Sequence, residues 1–126
     1  MDTIRLLIID DNTRVRDALQ ATLSNRPRLE VYACDASLNA ATTMVGAVAP
    51  DVVLFEPKSS DGKGLELCRR ILSSELPPAL VVLTTYRDEQ EAMGLSELGV
   101  SRYLLKDIDF QWLYQEILDT YAEQPA

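Results

Sequence analysis

The sequence predicts an α/β domain built on a parallel five-stranded sheet with helices on both faces. Three observations predict it. Short apolar runs alternate with longer segments in which apolar residues keep helical spacing. Most of the short runs are continuously apolar rather than alternating, as in strands covered on both sides. The chain has 126 residues, the length of one domain. Strands alternating with helices make βα units with right-handed crossovers.

The first strand is Ile4–Ile9. A helix follows, with Val15, Ala18, Leu19, Thr22 and Leu23 on one stripe. The second strand is Leu29–Ala33, and its helix carries Ala41, Met44, Val45 and Val48 before Pro50 closes it. The third strand is Val52–Phe55; its helix has Leu65, Cys68, Ile71 and Leu72 and ends by Pro77-Pro78. The fourth strand is Leu80–Leu83, followed by a helix near Asp88–Leu98 that Gly99 stops. The fifth is Tyr103–Leu105. Its helix has the clearest stripe: Phe110, Leu113, Tyr114, Ile117, Leu118 and Tyr121. Residues 1–122 form the domain, and 123–126 read as a tail that starts a linker to a further domain.

Composition narrows the function classes. The chain is 47% hydrophobic and 25% charged, with a formal net charge of -8. That is a globular profile, and it argues against this domain itself gripping a phosphate backbone. There is no histidine, which removes imidazole catalysis and His-based metal sites. Two cysteines, Cys34 and Cys68, are too few for a disulfide scaffold and suit a reduced, cytoplasmic setting. No apolar run approaches the roughly 20 residues of a membrane span. The first residues lack the basic region of a signal peptide.

In open α/β sheets, sites form beyond the carboxyl ends of the strands. The first strand ends in Asp10-Asp11, the third in Glu56, the fourth in Thr84-Thr85 and the fifth in Lys106. Three acids, a hydroxyl and a lysine then meet at one edge. Carboxylates suit a hard, oxygen-loving cation. The hydroxyl and the ammonium suit an anion beside it. Each residue alone has a plainer reading: Asp-Asp-Asn as a turn and helix cap, Lys106 as a surface lysine, Glu56 as a loop acid.

The segments Leu6–Asp11 (LLIIDD), Asp51–Glu56 (DVVLFE), Asp61–Glu66 (DGKGLE), Val81–Thr85 (VVLTT) and Ser101–Asp107 (SRYLLKD) span the chain in order. Together they resemble the receiver domain of bacterial two-component response regulators. The runs around Thr84-Thr85-Tyr86 and Tyr103–Asp107 look most like the NarL/LuxR-type subfamily. The resemblance implies a flavodoxin-like (βα)5 fold with strand order 2-1-3-4-5. It implies Mg²⁺ on Asp10 and Asp11 with the acid at position 56. Lys106 matches the lysine that pairs with the phosphoryl group. Thr84 and Tyr103 match the switch hydroxyl and the switch aromatic. It also implies a histidine kinase as partner and a C-terminal helix-turn-helix DNA-binding output domain.

The chain departs from that pattern at the acceptor. Glu56 stands where the family has the phosphorylated aspartate, Pro57 follows it, and Ser60 replaces an expected proline. Glutamate reaches about 1.5 Å further. Phosphoryl transfer depends on positioning, so ordinary aspartyl phosphorylation is expected to be lost here. Glu56 then either imitates the phosphorylated state or locks an inert one. A direct Lys106–Glu56 ion pair would reduce the need for metal. Two other readings stay open: a Mg²⁺-dependent phosphoacceptor using Glu56 or Asp61, and a flavodoxin-like module for a small anion. Against the second, no glycine-rich phosphate loop follows the first strand. Trp112, off the last helix's stripe, and Tyr86 are candidates for a partner or homodimer interface.

Overall fold

The computed structural model describes residues 2–124, so residues 125–126 of the expected tail lie outside it. Five strands and five helices alternate: β1 Ile4–Ile9, α1 Thr13–Leu23, β2 Leu29–Cys34, α2 Leu38–Val48 and β3 Val52–Phe55, then α3 Gly64–Leu72, β4 Ala79–Thr84, α4 Glu89–Leu98, β5 Arg102–Leu105 and α5 Phe110–Ala122. All strand pairs are parallel, in the order β2-β1-β3-β4-β5. This is the flavodoxin-like order that the family resemblance implied.

The continuous apolar runs have a simple cause. Alternate residues of a strand face opposite sides, and both sides are covered. Leu7, Ile9, Val53, Phe55, Leu80 and Val82 pack against Ala41 of α2, Leu67, Cys68 and Ile71 of α3 and Leu95 of α4. Leu6, Ile8, Val52, Leu54, Val81 and Leu83 pack against Leu19 and Leu23 of α1 and Leu113 and Ile117 of α5. All of these are buried. The edge strands β2 and β5 are only partly buried.

Local signals set most helix ends. Asn12, Asp88 and Asp109 cap α1, α4 and α5, each side chain accepting a backbone N–H of the first turn. Gly99, at φ 105°, ends α4 in the left-handed conformation. Ala49 ends α2 in the same way at φ 51°, directly before Pro50. α3 departs from expectation. It stops at Leu72, well before Pro77-Pro78, because Ser73 and Ser74 turn their hydroxyls back onto the Arg70 and Ile71 carbonyls.

The ladder extends past the strands into the site. The Glu56 N–H donates to the Ile9 carbonyl at 2.9 Å, and the Lys106 N–H to the Thr84 carbonyl at 2.8 Å. The backbones of the two residues are thus fixed by the sheet itself. No described helix is long and apolar enough to cross a membrane.

Candidate functional site

A cleft at the carboxyl ends of β1, β3 and β5 is lined by Asp10, Asp11, Glu56, Lys58, Ser60 and Lys106, among others. At its floor, Lys106 Nζ lies 2.7 Å from Asp10 Oδ2 and 3.0 Å from Glu56 Oε1. One ammonium therefore bridges two carboxylates. Asp10 and Glu56 are buried, and the Lys106 side chain is 16% exposed. Burial alone would push the Lys106 pKa down. The bonds to Asp10 and Glu56 outweigh it and hold the ammonium above its ordinary value. The free Glu56 oxygen, Oε2, accepts the Lys58 N–H at 3.2 Å.

Asp11 is employed elsewhere. Its Oδ1 accepts the Ala36 N–H at 2.8 Å, and its Oδ2 accepts the Ser60 N–H at 2.7 Å and the Ser60 hydroxyl at 3.0 Å. Partial burial opposes ionisation of Asp11, but these bonds prevail and hold its pKa below the ordinary aspartate value. Asp11 thus ties the β2–α2 loop to the β3–α3 loop.

Asp61 also faces away from the cleft floor. It accepts the Leu38 N–H at the start of α2, the Ser59 hydroxyl and the Lys63 N–H. Ser37, at the N-cap position of α2, makes no side-chain cap bond, so Asp61 supplies the cap from another loop. Its three bonds leave it poorly placed as an acceptor.

The expected metal trio, Asp10, Asp11 and Glu56, is therefore not assembled as a cage. Among the described residues no three His, Cys, Asp or Glu stand together so as to hold a metal ion. Lys106 occupies the space between Asp10 and Glu56, and Asp11 points at two backbone N–H groups. The donor set has the right chemistry for Mg²⁺, but this arrangement does not fit it.

Thr84 and Tyr103, the expected switch residues, lie just outside. Thr84 is fully buried, and its Oγ1 accepts from Lys58 Nζ at 2.8 Å. Lys58 also reaches Glu91 Oε1 at 2.7 Å and the Tyr86 carbonyl at 3.2 Å. The Tyr103 hydroxyl donates to the same Glu91 oxygen at 2.8 Å and accepts the Asp88 N–H at 3.4 Å. Sequence reasoning missed Lys58 and Glu91. The one available signal was position: Lys58 is two residues past Glu56, on a loop that must pass the end of β4. Tyr86 and Trp112 are exposed, at 60% and 68%. The Tyr86 ring carries Lys58 Nζ 4.5 Å from its centre.

Residues 6–118 match the response regulator receiver domain. The DNA-binding transcriptional activator DevR/DosR of Mycobacterium tuberculosis is 31% identical over 119 residues, covering 94% of this chain and 55% of that protein. The transcriptional regulatory protein LiaR of Bacillus subtilis is 31% identical over 103 residues, covering 82% of this chain and 49% of that protein. The chain thus spans about half the length of the curated relatives it matches. Among solved structures, a LuxR-family two-component response regulator from Aurantimonas superposes with a TM-score of 0.85 at 25% identity, covering 99% of this chain and 89% of that one. The receiver domain of the response regulator NarL from Mycobacterium tuberculosis gives a TM-score of 0.88 at 21% identity, covering 98% of this chain and all of that one, a likeness of fold.

Proposed function

Since the chain belongs to the response regulator receiver domain family, we propose that it is a receiver whose state is set without aspartyl phosphorylation. One observation carries the reading: Lys106 bridges Asp10 and Glu56 at 2.7 and 3.0 Å. A phosphoacceptor needs a carboxylate oxygen free for in-line attack and a cation beside it. Here one Glu56 oxygen is committed to Lys106 and the other to the Lys58 N–H. Mg²⁺, when bound in a receiver, neutralises charge on the phosphoryl oxygens. In this chain it would have to displace Lys106 from Asp10.

The reading favours a lock over an imitation of the phosphorylated state. A carboxylate carries one charge and two oxygens, against about -1.5 to -2 and three oxygens for a phosphoryl group. The Thr84 hydroxyl is held by Lys58 rather than by Glu56. Glu56 therefore closes the anion site without drawing the switch hydroxyl into it.

The output assigned to the whole protein is transcription control through an attached DNA-binding domain, by analogy with the relatives' names. A histidine kinase or another regulatory protein, and a second copy of the chain, are the proposed partners. Cytoplasmic location belongs to the same reading.

The test is intact-mass analysis after incubation with Mg²⁺ and a small-molecule phosphodonor, with Glu56→Asp run alongside. The expected result is no adduct on the native chain and one phosphoryl group on the Asp variant. A mapped, acid-labile adduct on the native chain would overturn the proposal and favour a working receiver with an unusual acceptor.

A further inference from the structure

Lys58 leaves the β3–α3 loop with an ammonium that has three N–H donors. All three are engaged, by Thr84 Oγ1 at the end of β4, by the Tyr86 carbonyl in the next loop and by Glu91 on α4. The Lys58 and Glu91 side chains are 22% and 18% exposed, so solvent screens the pair less than a surface ion pair. Glu91 Oε1 is shared, since it also accepts the Tyr103 hydroxyl. A continuous chain of bonds thus runs from Thr84 through Lys58 and Glu91 to Tyr103. It meets the ion-paired floor at the Lys58 N–H, which donates to Glu56.

We propose that Lys58 is a positioning residue that sets the state of the Thr84–Tyr103 switch pair. Its ammonium latches the β3–α3 loop, the end of β4 and α4 in one arrangement, and no phosphoryl group takes part. Moving the Thr84 hydroxyl toward Glu56 breaks its bond to Lys58. Turning Tyr103 outward breaks its bond to Glu91, whose carboxylate Lys58 orients. A signal that resets the pair must therefore first displace Lys58. The inference rests on Thr84 and Tyr103 being the switch pair. It stands whether or not Glu56 accepts a phosphoryl group.

Amide hydrogen exchange of the segment 85–98 reads the latch, with α1, capped by its own Asn12, as the internal reference. The variants are Lys58→Met, Glu91→Lys and the double charge swap Lys58→Glu with Glu91→Lys. In the swap the new carboxylate accepts from the Thr84 hydroxyl and the new ammonium donates to the Tyr103 oxygen, while the Tyr86 carbonyl loses its donor. The expected result is about tenfold faster exchange of segment 85–98 in each single variant, the scale of a lost charge-assisted bond. α1 should not change, and the swap should return the segment part of the way to the native rate, because the Tyr86 carbonyl stays without its donor. Native exchange rates in Lys58→Met overturn the latch. So does an equal rise in α1, which marks general loosening, or a swap as fast as the single variants. A phosphoryl adduct on the native chain would sink the functional reading above and leave this result untouched.

Discussion

Two lysines at two depths do different work in this protein. Lys106 sits at the floor of the cleft between Asp10 and Glu56, both buried. Lys58 sits one layer out, with Thr84, Tyr86 and Glu91. The floor hangs on strand ends whose backbones belong to the ladder. The outer layer joins two loops and a helix, which move relative to the sheet at lower cost. The contrast teaches that the floor carries stability and the outer layer carries adjustability. A rigid ion pair next to a displaceable one is the construction that the proposed phosphorylation-independent receiver requires.

The largest expected effect comes from breaking the floor. Lys106→Met leaves two buried carboxylates without their cation and should cost about 3–5 kcal/mol in urea unfolding. The pH dependence sharpens the assignment. The folded pKa of Lys106 lies above its ordinary value of 10.5, so its contribution is present in full below 10.5 and fades as pH rises through the folded pKa. The stability difference between the native chain and Lys106→Met should therefore hold at neutral pH and shrink in strong alkali.

Next comes the hinge between the two layers. Pro57 separates Glu56 from Lys58, and Gly64 lies against it. A Cβ on Gly64 would fall 2.0 Å from the Pro57 carbonyl oxygen. Gly64→Ala must push that carbonyl away and should cost about 2–4 kcal/mol, disturbing both lysine networks at once. Hydrogen exchange across both loops would show it. A stability close to native would mean the loop yields more easily than its packing indicates.

Lys58→Met should cost less, about 1–2 kcal/mol by denaturant midpoint, because Glu91 is within reach of water and only the neutral Thr84 hydroxyl stays buried. Equal losses in Lys58→Met and Lys106→Met would erase the distinction between the layers. Ser60→Ala is the smallest change. It removes one of three bonds to Asp11 and should cost about 0.5–1 kcal/mol by denaturant midpoint.

Much of the floor was legible in the sequence, because a residue that directly follows a buried strand has few places to go. Asp10 and Glu56 each follow such a run, Lys106 follows the partly buried edge strand β5, and the three meet. The strand positions were legible for the same reason, with ends shifted by one residue at most. The direction of each carboxylate was not. On paper Asp11 reads as a metal ligand and Asp61 as an alternative phosphoacceptor. Free N–H groups at Ala36, Ser60 and Leu38 claimed them instead. Phe110 began the last helix's apolar stripe in the sequence, yet at the first turn it is 39% exposed beside Ile108 and Leu113. Lys58 gave almost no signal, because its partner Glu91 lies 33 residues away.

The sequence by itself determined the layers, the element order and which residue types reach the strand ends. Those follow from the period of burial along the chain, which is a local property. Only the tertiary structure decided which carboxylate takes which cation. That choice is a competition among donors brought together from the β2–α2, β3–α3 and β5–α5 loops, settled by distance and by the cost of leaving a buried charge or N–H unpaired.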